Sequence, residues 1–156
     1  MTGRLGAPLT EPIVARGAAY GDFDGDGDQD VLITTNGSAP RLLRNDGAER
    51  SQKLRLRLVG TTSNRDAIGA FARVTYTAGA SSWQMVKTGS SYCSQSELPL
   101  TFGLGTATAV TKIDVKWPNG RVESFPGEKA NQLLTIQEGK GMIARAALPM
   151  ARQPSK

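Results

Sequence analysis

Apolar residues in this chain recur at every second position, in short runs separated by turn residues, and no 3.6-residue period is sustained before residue 140. LRLRLVG (54–60) places Leu54, Leu56 and Leu58 on one side and Arg55 and Arg57 on the other. That alternation predicts a half-buried strand whose arginines face solvent. Lys112–Trp117 alternates in the same way, with Ile113, Val115 and Trp117 in phase. Pro118-Asn119-Gly120 then turns the chain and Arg121–Phe125 returns it. FARVTYTAG (71–79), WQMVKTG (83–89) and LTFGLG (100–105) read as further strands, the last two as a hairpin. Residues 131–138 form a final strand. Seven or more short strands with regular turns predict an all-β chain, an antiparallel β-sandwich or barrel-like domain.

AAYGDF (18–23) and DVLITT (30–35) are strand-like and flank an acidic loop. Asn36-Gly37-Ser38 is a turn signal, and RLLRN (41–45) is the return strand. The polar stretch 45–52 predicts a domain boundary near residue 50. The expected organisation is therefore a strand–loop–strand unit over 1–50, a β domain over 51–140, and a mobile or briefly helical tail over 141–156.

Five of the fourteen acidic residues lie within DFDGDGDQD, residues 22–30. Asp22, Asp24, Asp26 and Asp30 occupy positions 1, 3, 5 and 9 of the loop, and Gly27 position 6. Alternate residues of a curled loop aim carboxylates inward. A glycine at the sixth position lets the chain bend, so that the backbone carbonyl of Asp28 also coordinates while its side chain faces water. Four crowded carboxylates repel by about 1 kcal/mol per pair even in water, so the loop needs a cation. An all-oxygen ligand set points to Ca²⁺ and away from zinc or copper, and the ligand number disfavours Mg²⁺. An EF-hand is excluded, because position 12 is Ile33 and not a bidentate glutamate.

Nineteen basic residues face only nine acids outside the loop. They are spread along the chain, with a denser group at Arg41, Arg44, Arg50, Lys53, Arg55 and Arg57. Aromatic residues do not interleave with them, so nucleic acid is not the expected partner. The absence of histidine removes Ser-His-Asp and Cys-His catalysis. Cys93 is the lone cysteine, which forms no internal disulfide and is expected as a small buried hydrophobe. Trp83 and Trp117 are expected as core anchors. The first residues show no apolar signal segment, and no run of about 18 apolar residues would enter a membrane. A glycosidase would need paired carboxylates, and Asp66, Glu97, Asp114 and Glu123 are scattered. The chain is expected not to be an enzyme.

GDFDGDGDQDVLI resembles an FG-GAP or VCBS repeat over residues 16–47, the strand–loop–strand unit of integrin-type propellers, whose loop holds calcium. LRLVGTTSNRDAIGAFARVTY, TGSSYCSQSELPLTFGLG and VTKIDVKWPNG resemble the ASPIC/UnbV domain over 54–137. The features that carry this likeness are Asn64-Arg65, Ile68-Gly69-Ala70, Gly89, Ser94-Gln95, Phe102–Gly105 and Trp117–Gly120. Chains similar to cartilage acidic protein combine the two. The resemblance implies calcium binding, an adhesion or recognition role with a protein or glycan partner, and an extracellular or periplasmic location. A propeller closes with about four to eight blades, and one unit cannot bury its apolar face alone. It would pack on the following domain, associate with another copy, or follow missing upstream blades. Asn64, Arg65, Tyr92, Ser94 and Gln95 are the expected polar recognition residues. An alternative reading is a carbohydrate-binding module built from the 90–97 loop and an exposed tryptophan.

Overall fold

A computed structural model describes residues 11–45, 51–76 and 79–149. Eleven strands and no helix are present among them: β1 (Ala15–Gly21), β2 (Asp30–Thr35), β3 (Arg41–Leu43), β4 (Gln52–Val59), β5 (Phe71–Tyr76), β6 (Ser81–Met85), β7 (Leu100–Gly105), β8 (Val110–Lys116), β9 (Val122–Pro126), β10 (Gln132–Gln137) and β11 (Gly141–Ala147). They form three sheets, ordered β1-β2-β3, β11-β10-β4-β7 and β6-β5-β8-β9.

The two four-stranded sheets make a sandwich. Leu54, Leu56 and Leu58 of β4, Phe102 of β7, and Leu134 and Ile136 of β10 are buried. So are Ala72 and Val74 of β5 and Ile113 and Val115 of β8. Together they form one apolar cluster, closed at one end by Trp117. The period-2 alternation of β4 and β8 sets which side chains enter this core. The hairpin at 118–120 forms as expected: β8 and β9 pair antiparallel, and the Trp117 N–H donates to the Arg121 carbonyl at 2.8 Å.

Several expectations are corrected. The sandwich is not wholly antiparallel, because β10 pairs parallel with β4, Leu134 opposite Leu56. Of the two all-β forms expected, the sandwich is the one present, and no closed barrel forms among the described strands. The segments around 83–89 and 100–105 do not make a hairpin, since β6 and β7 belong to different sheets. The tail is neither helical nor irregular over 141–147. It is β11, paired with β10 across a bulge; residues 150–156 lie outside the described residues, as does the boundary segment 46–50. Trp83 is 66% exposed while Trp117 is 1% exposed, because β6 is an edge strand and presents Trp83 outward. Cys93 is exposed, in a left-handed turn with φ of 48°.

The sheet β1-β2-β3 adds no residue to the apolar core, whose members all lie between Leu54 and Ile136. Polar contacts hold it in place. The Ala18 and Tyr20 N–H groups donate to the hydroxyls of Ser91 and Ser96, each at 3.1 Å, and the Glu97 N–H donates to the Tyr20 carbonyl at 3.0 Å. The 90–97 loop thereby covers the open edge of β1, which would otherwise offer unpaired backbone groups. Gly17 makes this possible: a Cβ there would strike the Ser94 hydroxyl and the Tyr92 carbonyl.

Candidate metal centre

The acidic loop leaves β1 at Asp22 and enters β2 at Asp30. Gly25 and Gly27 take φ values of 79° and 88°, which curl it. Gly27 also lies against Leu148, which follows β11; a Cβ at Gly27 would come within 2.7 Å of the Leu148 side chain. The C-terminal strand thus delivers an apolar contact to the loop.

Carboxylate oxygens of Asp22, Asp24 and Asp30 all lie within 4.8 Å of one another. Two oxygens on opposite sides of a calcium ion, each about 2.4 Å from it, would be about 4.8 Å apart, so this cluster has the dimensions of a coordination shell. Asp30 is buried and accepts the Phe23 and Asn45 N–H groups, both at 2.8 Å, tying the loop to the start of β2 and the end of β3. One Asp22 oxygen accepts the Gly27 N–H at 3.0 Å and pairs with Arg55. The other, Oδ1, is buried with no hydrogen-bond partner. An orphaned buried carboxylate oxygen is costly, and a cation in the cluster would satisfy it. The donor set is oxygen alone, which fits a hard metal cation.

Asp26 and Asp28 stand differently. The Asp26 carboxylate accepts the Asp28 N–H at 2.8 Å and is not in the cluster of three. The Asp28 side chain does not face water: it is buried and lies 2.7 Å from the Lys53 ammonium. Burial pushes the Asp22 carboxyl above its ordinary range, against the pull of Arg55 and the Gly27 N–H, and pushes Asp26 up too, against the Asp28 N–H.

Arg55 is the clearest departure from expectation. It is buried, whereas Arg57, two residues along the same face of β4, is exposed. Its guanidinium pairs with Asp22 and with Glu97, and its Nε donates to the Thr101 hydroxyl at 3.1 Å. The acidic loop sits over this part of the sheet and converts a solvent-facing arginine into a buried one. One side chain therefore joins the loop, the 90–97 segment and β7.

The other expected site residues are dispersed. The Asn64 side chain is spent on its own turn, donating to the Ile68 carbonyl at 2.9 Å and accepting the Ile68 N–H at 2.8 Å. Arg65 is exposed and borders a cavity of about 420 Å³ with Arg57, Asp66 and Leu98. Tyr92 borders another, of about 640 Å³, with Arg16 and Thr35. Ser94 donates to the Tyr92 carbonyl, and Gln95 is exposed.

Sequence reasoning passed over Glu138. This fully buried carboxylate follows β10 and accepts three successive backbone N–H groups, Thr61 at 2.9 Å, Thr62 at 3.0 Å and Ser63 at 2.8 Å. The Ser63 hydroxyl and the Asn119 amide add 3.1 and 2.6 Å bonds. Burial opposes its charge, but these donors prevail and hold the carboxyl at about 2. A lone acid closing an apolar strand was the only local signal.

Fold and site define a class: an all-β sandwich carrying a small extra sheet whose acidic, oxygen-only loop is ion-paired to the outside of the sandwich. Within that class, a family model described as ASPIC and UnbV matches residues 60–142, more than half of the chain, and the chain belongs to that family. No curated protein matches it. No helix of the described residues is long and apolar enough to cross a membrane.

Proposed function

We propose that the chain is a non-catalytic calcium-binding recognition module, in which Ca²⁺ held by Asp22, Asp24 and Asp30 orders the loop and fastens the β1-β2-β3 sheet to the sandwich. The observation that carries this reading is a buried, unpartnered oxygen, Oδ1, on Asp22, a residue whose carboxylate lies within 4.8 Å of those of Asp24 and Asp30. The bound ion would supply charge neutralisation. The chain's own Arg55 and Lys53 hold Asp22 and Asp28 against β4. The spacing of the loop between two strands supports its likeness to an FG-GAP or VCBS repeat, and with it an extracellular or periplasmic setting. Phe23, Leu32 and Leu42 are exposed around a groove of about 330 Å³ beside the loop, which supports a role in contacts with a protein partner, another copy or upstream blades. Three of the four scattered acids have close partners, Glu97 in Arg55, Asp114 in Lys112 and Glu123 in Trp117, and Asp66 lies exposed beside Arg65. That supports the absence of catalysis.

The test is thermal unfolding in EGTA and again with about 1 mM CaCl₂. A site filled to a hundredfold excess over Kd adds about 2.7 kcal/mol, several degrees for a chain of this size. Asp24 is exposed and makes only a 3.4 Å contact with the Asp26 N–H, so Asp24→Ala should leave the EGTA melting temperature in place and remove the calcium shift. No shift in a folded, metal-free wild type would remove calcium from the function.

A second reading, carbohydrate binding, is favoured by the exposure of Trp83. Trp83 also borders a cleft of about 440 Å³ shared with Gln29, Lys87 and Glu97, the end of the 90–97 loop.

A further inference from the structure

Residues directly opposite one another across paired strands share a face, and the register of β6-β5-β8-β9 assembles one outward face in three rows. Met85, Phe71, Lys116 and Val122 form the first. Trp83, Arg73, Asp114 and Ser124 form the second, and Ser81, Thr75, Lys112 and Pro126 the third. The inward residues between them, Ala72, Val74, Ile113 and Val115, make the core. The outward face is open to solvent: Trp83, Phe71, Met85 and Val122 are all exposed large apolar side chains. Phe71 and Trp83 touch, with ring centroids 5.7 Å apart and planes tilted by 42°.

Charge on this face is unbalanced. Arg73, Lys112 and Lys116 stand against one carboxylate, Asp114, which Lys112 at 2.8 Å and the Ser124 hydroxyl already hold. Arg73 is splayed along the face, its guanidinium donating twice to the Ser81 hydroxyl at 3.0 and 2.8 Å.

We propose that this face binds an acidic polysaccharide, a chain of uronate or sulfated sugars, with the C–H face of a pyranose ring lying on Trp83 and Phe71 and its anionic groups meeting Arg73 and Lys116. Pyranose C–H bonds carry slight positive charge and match the negative face of an aromatic ring. The Thr75 hydroxyl lies in the same face, and the Ser81 hydroxyl, which accepts from Arg73, keeps its own proton to donate to a sugar oxygen. A single-stranded nucleic acid would also find cations and rings. Successive bases, however, stack on separate platforms, and here two tilted rings in contact form a single ledge. The inference rests on the carbohydrate-binding reading and is independent of the calcium site.

The test is titration calorimetry, with tryptophan fluorescence alongside, using an oligogalacturonate, a heparin oligosaccharide, a neutral glucan oligomer and an oligothymidylate of matched charge. Trp117 is buried, so ligand-dependent fluorescence change should come from Trp83. The acidic oligosaccharides should bind, with affinity falling at least tenfold in Trp83→Ala and in Arg73→Ala/Lys116→Ala. It should be retained in part by Trp83→Phe and unchanged by Lys140→Ala, whose lysine sits at the β10–β11 turn. Because Trp83 is exposed, melting temperatures of these variants should match the wild type. Acidic binding that ignores Trp83→Ala would overturn the proposal as diffuse attraction to a basic protein. Equal, Trp83-dependent binding of the oligothymidylate would overturn it in favour of nucleic acid. Trp83-dependent binding of the neutral glucan with no preference for charge would keep the carbohydrate reading and remove the acidic ligand. No glycan binding at all would remove both.

Discussion

A single carboxylate, Glu138, holds three loops of the sandwich together. It receives the N–H groups of 61–63 and the Asn119 amide while its own N–H donates to the Val59 carbonyl at 2.9 Å. Glu138→Gln puts an amide where an acceptor is required. It should cost about 2 kcal/mol at neutral pH, in the range of hydrogen bonds to a charged group, read by urea denaturation. The pH dependence has a definite sign. The folded carboxyl titrates at about 2, below its ordinary 4.5. Its stabilisation is therefore fully present above about 4.5 and is lost as pH falls toward 2. The gap between wild type and variant should narrow across that window and be constant above it. Local pattern did not reveal this role, because the donors come from a turn some 75 residues earlier in the chain. The two tryptophans teach the same lesson. Trp117 continues an inward-facing row and is buried, whereas Trp83 sits on an edge strand whose outer face no described residue covers.

Among elements, β4 shows how far alternation can be read. Leu54, Leu56 and Leu58 enter the core as their spacing requires. The same spacing gives Arg55 and Arg57 equivalent places on the opposite face, yet only Arg55 is buried. What separates them is a loop some thirty residues upstream, and no local pattern encodes that encounter. The spacing of alternate acids on a curled segment anticipated that Asp22, Asp24 and Asp30 come together, but it also placed Asp26 with them, and Asp26 accepts the Asp28 N–H instead. The basic partners of the loop were not legible. Arg55→Met would leave the buried Asp22 carboxylate and the half-buried Glu97 without their cation. Removing one partner of a buried pair costs about 3–5 kcal/mol, so the variant should melt well below the wild type. The loss should be smaller in calcium, where a second cation still serves Asp22. Gly17→Ala should loosen the same union from its other side, by driving the 90–97 loop off β1. Its expected signature is faster proteolysis within residues 11–45, with the sandwich intact.

At the scale of the whole molecule, cohesion is uneven. The sandwich is held by an apolar core, whereas β1-β2-β3 is held by a few hydrogen bonds and ion pairs and leaves Val31, Leu32 and Leu42 exposed. Regions poor in buried apolar contacts open first. Amide exchange in EGTA should therefore be faster in β2 than in β4 or β8, and calcium should slow β2 selectively. Uniform protection of all three would contradict the assignment of the loop as a clasp. The parallel pairing of β4 with β10 bears on synthesis. Leu54 waits for Gln132 as its partner, and Lys53 and Asn131 exchange backbone and amide bonds at the mouth of that pair. Until β10 has left the ribosome, one flank of β4 stands open, so the sandwich can complete only some 78 residues after β4 has been made. Contacts so distant along the chain place folding in the slow, millisecond-to-second class, and a nascent chain halted before β10 would present β4 to any chaperone or neighbour able to add a strand.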